Sequence, residues 1–269
     1  YTYNIYIMKK YAIDFRVAEL ARLSESYALL KLVPADGSPL PPMLPGQFVQ
    51  VEVPNSKTTY LRRPISVNFA DYEKNQLWLL VRKAGEGTSA LISLEENAVV
   101  NVILPLGNGF SMEPCADNKA VLLVGGGVGV APLLYAGAEL KRQGIPVIFL
   151  LGARSAKDVL ELDDFKAIGE VCVSTEDGSL GEKGLVTAHS VLGSGRFGRV
   201  SCCGPKPMMV AVAREAKRLN VPCEVSLENV MACGLGACLC CVEDTHDHGN
   251  VCVCKDGPVF NIEQLKWQI

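Results

Sequence analysis

Apolar and polar residues alternate over residues 13–20, 27–33, 48–53, 65–69, 77–81 and 99–104, with turn residues between the runs. A period of two lines one face of an extended strand. Six short strands so spaced predict an antiparallel β-barrel. The proline- and glycine-rich stretch 36–46 reads as a loop, and a short helix is expected over 88–94.

Near residue 118 the rhythm changes. Residues 120–124 form an unbroken apolar run, as in a strand covered on both faces. Residues 131–142 carry apolar positions at helical spacing. Strands at 147–151, 170–174 and 200–203 then alternate with helices at 159–168 and 207–218. That alternation predicts a parallel sheet with right-handed crossovers. Beyond residues 224–227 comes a cysteine-rich tail. The expected fold class is α+β and multidomain: an antiparallel β-barrel over 8–113, an α/β parallel-sheet domain over 114–225, and a C-terminal subdomain over 226–269.

Bulk properties narrow the classes. A chain of 269 residues can hold two domains and a small appendage, and its 49% hydrophobic and 20% charged content is that of an ordinary globular protein. A formal net charge of −3 without a basic run argues against nucleic acid as a partner. The apolar runs are too short to span a bilayer, and no secretory pattern opens the chain, which points to the cytoplasm. Met8 reads as a natural start, with residues 1–7 an addition or an alternative start. Eleven cysteines, an odd number crowded toward one end, favour reduced thiols and metal ligation over disulfides. Cys115, Cys172, Cys202 and Cys223 stand apart from that crowd and read as plain thiols.

The strongest chemical signal is Cys233-Gly-Leu-Gly-Ala-Cys238-Leu-Cys-Cys241 followed by Cys254. This is C-x4-C-x2-C plus one distant cysteine, the spacing of a plant-type [2Fe–2S] site. Gly234 and Gly236 clear the loop of side chains, so its N–H groups can turn toward sulfur. Cys240 in place of Cys241 would break the spacing. Cys252 competes with Cys254, which is preferred because Lys-Asp-Gly-Pro follows it and can bend the chain back. Four thiolates also suit zinc, although zinc sites usually show two paired knuckles. His246 and His248 lie in a polar loop and read as solvated.

Weaker signals precede the tail. Gly125-Gly126-Gly127-Val-Gly129-Val-Ala131-Pro132 follows a strand and opens a helix, where a pyrophosphate could meet free N–H groups. It is not G-x-G-x-x-G, and no acidic residue ends the next strand, so a packing turn remains an alternative. Arg62-Arg63-Pro64-Ile65-Ser66 places arginine in a barrel strand, where an anion such as a flavin pyrophosphate would justify it. Gly85-Glu-Gly87-Thr88-Ser89 reads as a phosphate cradle or a simple helix start. Cys203-Gly204-Pro205 ends a strand of the α/β half, on the side where ligands bind such sheets.

In this order the motifs resemble those of the ferredoxin–NADP reductase superfamily. Leu61-Arg-Arg-Pro-Ile-Ser66, Ser226-Leu-Glu-Asn-Val-Met-Ala-Cys233-Gly-Leu-Gly-Ala-Cys238 and Cys254-Lys-Asp-Gly-Pro-Val-Phe260 narrow the resemblance to the electron-transfer subunits of B-type, NAD-dependent dihydroorotate dehydrogenase. The resemblance implies that Arg63, Pro64, Ile65 and Ser66 contact FAD, that Leu80, Val81 and Arg82 line it, and that Gly87 and Thr88 hold its pyrophosphate. It also implies that Gly125, Gly127, Gly129, Cys203 and Gly204 meet NAD as substrate. Cys233, Cys238, Cys241 and Cys254 would hold the [2Fe–2S] cluster. Electrons would come singly from an FMN-containing catalytic subunit, in a heterotetramer with two copies of each chain. They would collect on FAD and leave as hydride to NAD(+), with no dihydroorotate site on this chain. Ile65 departs from the wider superfamily, which often stacks an aromatic there, and the loop before Cys254 is short. The rivals are another NAD(P)H-linked subunit, serving a ferredoxin reductase, sulfide dehydrogenase or hydrogenase, and a non-catalytic zinc module.

Overall fold

The computed structural model describes residues 9–54, 56 and 58–269, so the expectation about Met8 and residues 1–7 lies outside the described residues. The first half contains β1 (Tyr11–Arg22), β2 (Tyr27–Pro34), β3 (Phe48–Val51), β4 (Arg63–Ser66), β5 (Phe69–Asp71), β6 (Gln76–Arg82), helix α1 (Glu86–Leu91) and β7 (Val99–Leu106). The strands form one antiparallel sheet in the order β4-β3-β7-β1-β2-β6-β5. Among the described residues no ladder joins β4 to β5, so the sheet is a curled half-barrel with a seam. Alternation fills it: Phe15, Leu30, Leu32, Leu77, Leu79 and Val102 point into one core.

Two sequence-derived elements shift. The run 65–69 divides into β4 and β5 because Asn68 turns toward the second half, where its Nδ2 donates to the Ala131 carbonyl at 3.2 Å. The helix expected at 88–94 lies at Glu86–Leu91. Its start is closed by the Thr88 hydroxyl, which accepts the N–H groups of Ala84 at 2.8 Å and Gly85 at 3.1 Å.

The second half contains β8 (Ala120–Gly126), α2 (Ala131–Arg142), β9 (Val147–Ala153), α3 (Leu162–Ile168), β10 (Glu170–Thr175), β11 (Glu182–Lys183), β12 (Phe197–Cys203), α4 (Lys206–Arg218) and β13 (Cys223–Ser226). The tail adds a hairpin, β14 (Val242–Thr245) and β15 (Gly249–Cys252), then a single turn α5 (Val253–Asp256) and β16 (Val259–Asn261). The sheet order is β11-β10-β9-β8-β12-β13-β16, parallel except for β16. Strand β8 lies between β9 and β12, so the order reverses there and a crevice opens at its carboxyl end. α3 starts later than expected, after Glu161 at φ 51.

Three seams bind the parts together. Leu29 and Leu80 of the first sheet pack with Leu123, Leu133 and Val259 of the second half and tail. Phe48 and Leu106 pack on the other face with Phe260. Asn108, just past β7, donates from Nδ2 to the Val259 carbonyl at 2.9 Å and accepts the Val259 N–H at 2.9 Å. The tail is thereby fixed to both sheets. No helix among the described residues is long and apolar enough to cross a membrane.

Candidate functional site

The cysteine loop folds as its glycines dictate. Gly234 (φ 69) and Gly236 (φ 81) take left-handed conformations that glycine adopts without strain. The turns aim main-chain donors at sulfur. Cys233 Sγ accepts the Leu235 N–H at 3.3 Å, Cys254 Sγ the Gly236 N–H at 3.1 Å, and Cys241 Sγ the Cys254 N–H at 3.3 Å. The Leu235 N–H, helped by those of Cys238 and Ala237, lowers the Cys233 thiol to about 6. Burial, then the Cys241 sulfur, raises Cys254 to about 12.

Among the described residues no three His, Cys, Asp or Glu side chains converge on one ion-sized point. The thiols form two pairs instead, Cys233 with Cys238 and Cys241 with Cys254. Two thiolate pairs surrounded by N–H donors fit the demands of a two-iron cluster, which takes four cysteines in all. The rival fourth thiol, Cys252, lies 3.9 Å from the Gly236 carbonyl and faces an acceptor, whereas Cys254 faces a donor. A thiolate is stabilised only by the second arrangement. Cys240 is exposed, as are His246 and His248 at the hairpin turn.

Arg62, just before β4, and Arg63, its first residue, separate cleanly. Arg62 clamps the sheet, donating to the Asn101 carbonyl at 2.8 Å and to Asn101 Oδ1 at 2.7 Å. Arg63 turns the other way, and its buried Nε has no hydrogen-bond partner among the described residues. Leaving such a donor unmatched costs ~1–3 kcal/mol, a deficit an anion would remove. Gly87 makes room for it, since a Cβ there would lie 2.5 Å from Arg63 Nε. A flavin pyrophosphate fits this cradle by charge. Pro64 and Ser66 share one face of β4, and Ile65 shares the other with Arg63.

Across the seam, the Leu80 and Val81 side chains are buried in separate cores. What this strand offers a ligand is main chain. The Lys83 N–H bonds the Ser26 carbonyl at 2.8 Å on the β2 side, so alternation turns the main-chain groups of Leu80 and Arg82 toward the seam. The Arg82 side chain is exposed. The Thr88 hydroxyl is engaged in closing α1.

At the switch point, Gly127 (φ 56) has open space around it among the described residues, with the Tyr27 hydroxyl 3.9 Å from where a Cβ would stand. Gly129 is a packing glycine, for its Cβ would lie 2.5 Å from the Cys203 carbonyl oxygen and 2.5 Å from Gly204 Cα. This close approach joins the glycine loop to the Cys203–Gly204 turn. Gly125 serves packing too, against Val130 and Leu133. The Cys203 thiol is fully buried, and burial pushes it well above its usual range, so it stays neutral.

Several residues at the site escaped the sequence reading. Burial raises the Glu228 carboxyl at the start of the tail against the opposing pull of Arg82, and Glu228 adds to the burial that raises Cys203, so it reaches the crevice. Asp158, in the turn five residues past β9, accepts the Ser155 hydroxyl at 2.6 Å. Asn68 splices the halves, because its carbonyl accepts the Tyr135 N–H at 3.2 Å and its Nδ2 also reaches Glu161 Oε2 at 3.0 Å. Gln50 lies buried beneath Gly234. Glu228 stands inside the Ser226–Cys238 motif with no role assigned to it, and the others lie outside every motif, so only contacts made in three dimensions reveal what they do.

A half-barrel with an anion cradle at its seam, set against a parallel-sheet crevice, defines an oxidoreductase of the ferredoxin–NADP reductase type. Its tail adds the thiols of an electron carrier. Residues 228–266 match the family described as the iron-sulfur cluster binding domain of dihydroorotate dehydrogenase B. The electron transfer subunit of dihydroorotate dehydrogenase B (NAD(+)) from Caldanaerobacter subterraneus subsp. tengcongensis is 41% identical, over 82% of this chain and 86% of the relative. Its counterpart from Bacillus velezensis is 40% identical over 82% of this chain and 86% of the relative. A chain in the structure of NADH-dependent reduced ferredoxin-NADP oxidoreductase superimposes with a TM-score of 0.81 at 29% identity, covering 94% of this chain and 90% of that one. The chain belongs to the family of electron transfer subunits of NAD(+)-dependent dihydroorotate dehydrogenase B.

Proposed function

We propose that this chain is the NAD(+)-reducing half of a dihydroorotate dehydrogenase, receiving electrons from an FMN-containing catalytic subunit in a heterotetramer of two copies of each. FAD and a [2Fe–2S] cluster, when bound, supply the exchange between single electrons and electron pairs. The chain's residues supply placement. Arg63 neutralises the pyrophosphate beside Gly87 and Thr88, while β4 runs along the isoalloxazine edge, with Ile65 on the face of Arg63 and Pro64 and Ser66 on the other. The main chain of Leu80 to Arg82 closes the opposite side, with the Val81 side chain backing it. Gly125, Gly127 and Gly129 shape the NAD loop, and Cys203 and Gly204 floor the crevice where the nicotinamide meets the flavin. Cys233, Cys238, Cys241 and Cys254 hold the cluster. The functional units are 8–113, 114–225 and 226–269, with β16 anchoring the last to the sheet of the second.

The observation that carries this reading is the placement of the thiol loop over β3, the strand paired directly with β4. That placement brings the thiol pairs to the strand that would hold the flavin. The relatives' names, which specify NAD(+), support NAD as the electron acceptor over a 2′-phosphorylated dinucleotide. Thiols that must remain reduced for ligation suit the cytoplasm, and all eleven cysteines are free. The test is copurification with an FMN-containing catalytic subunit followed by a dihydroorotate:NAD(+) assay. Reduction of NAD(+) only when both chains are present is expected. Reduction by ferredoxin, with none by dihydroorotate in the assembled complex, would favour the ferredoxin-linked alternative instead.

A further inference from the structure

Gln50 occupies the middle of β3, opposite Pro64 on β4 and Ile103 on β7. Its neighbours Val49 and Val51 point into the barrel core, so strand alternation turns Gln50 to the other face, beneath the tail. It is 0% exposed, and neither Nε2 nor Oε1 has a hydrogen-bond partner among the described residues. Gln47, three residues earlier and also buried, shows what such an amide ordinarily does: its Nε2 donates to the Gly107 carbonyl at 2.8 Å. Buried amides are almost always satisfied, and valine or leucine would fill the same space without the penalty. The orphan amide lies against the loop. A Cβ on Gly234 would be 2.8 Å from Gln50 Nε2, and Gly234 directly follows Cys233. Only a glycine lets the donor come so close.

We propose that Gln50 is a hydrogen-bond donor to the sulfurs held at Cys233, and that it raises the potential at which this chain accepts an electron. The proposal rests on the reading that the four cysteines hold the cluster. Reduction adds negative charge that spreads over the sulfurs, and a donor aimed at them stabilises the reduced form more than the oxidised one. From its place on β3, beside β4 and beneath the cysteine loop, Gln50 tunes the step between carriers without taking part in it.

The experiment is a redox titration of the anaerobically prepared holo-subunit, following the cluster by electron paramagnetic resonance and the flavin by absorbance. Gln50→Leu and Gln50→Met remove the donor, and the unbranched methionine guards against misfit of the leucine. Gln50→His supplies a donor again. At the potential where the wild type is half reduced, the apolar variants are expected to show a reduced-to-oxidised ratio lower by roughly tenfold, equivalent to about 59 mV for one electron. The flavin titration stays in place, and the histidine variant recovers most of the shift. A normal cluster signal with unmoved midpoints in both apolar variants overturns the role of Gln50 alone. A wild type that gives no cluster signal overturns the cluster reading and this proposal together.

Discussion

Replacing Gly129 by alanine tests whether the glycine loop and the Cys203–Gly204 turn act as one surface. The new Cβ would stand 2.5 Å from the Cys203 carbonyl oxygen, 2.6 Å from its carbon and 2.5 Å from Gly204 Cα. Ordinary carbon contacts are nearer 3.5–4 Å, so the loop and turn must separate by about 1 Å. The obstructing atoms are main chain at the end of β12, held on one side by β8 and on the other by β13, and they cannot rotate away. Overpacking of this kind costs ~1–3 kcal/mol, within the ~5–15 kcal/mol that holds a folded domain together. The fold is therefore expected to survive with a melting temperature a few degrees lower. A misplacement of ~1 Å at a reacting site lowers rate by up to ~100-fold. In NADH-dependent dye reduction by the FAD-loaded subunit, kcat/KM for NADH is expected to fall by roughly 10–100-fold. Flavin content and chemical reduction of the flavin remain normal. A lowered melting temperature with kcat/KM within about twofold of wild type would show that the strain relaxes away from the crevice and that loop and turn are not one surface.

Other consequences are as direct. Arg63→Ala is expected to weaken FAD retention by roughly 10–100-fold, the value of ~1.5–3 kcal/mol for a charged hydrogen bond, while Arg62→Ala lowers stability and keeps the flavin. Flavin-to-protein ratios after gel filtration decide this, and loss of flavin from the Arg62 variant alone would reverse the assignment. Cys238→Ser is expected to abolish the cluster signal and the dihydroorotate-to-NAD(+) flux but keep dye reduction by NADH, whereas Cys240→Ser retains all three. Burial, and then Asp164, raise the Glu161 carboxyl from 4.5 to about 7. Between those values the folded chain holds a proton that the unfolded chain releases, so stability falls as pH rises. Above pH 7 the penalty reaches ~3 kcal/mol. Glu161→Gln is expected to remove that decline in urea melts at pH 5 and pH 8. A variant that shows the wild-type decline would contradict the assignment.

Local order made much of this molecule legible. The barrel strands announce themselves by alternation, and β8 by an apolar run that only a doubly covered strand carries. The short spacing of Cys233, Cys238 and Cys241 marks one loop of thiols in the sequence, and the turn after Cys254 marks the fourth. What escaped is non-local. The three-residue β16 pairs with β13 from more than thirty positions away, and nothing in Val259–Asn261 by itself predicts that edge. The break between β4 and β5 depends on Asn68 meeting Glu161, 93 residues later. Gln50 read as the polar position of an alternating strand. Its opposite face turned out to be covered by the tail, and the same pattern then acquired a cost. Thr88 shows the converse, for a hydroxyl at a glycine turn suits a phosphate and a helix start alike, and the structure shows it closing the helix.

The most direct test is electron paramagnetic resonance on the complex assembled with the FMN-containing catalytic subunit. Dihydroorotate is added without NAD(+), and NAD(+) follows. A reduced-cluster signal is expected to grow with dihydroorotate and to fade as NADH forms, and neither event to occur with Cys238→Ser. NADH formed from dihydroorotate at wild-type rate by the Cys238→Ser complex, with no cluster signal at any stage, would contradict that expectation.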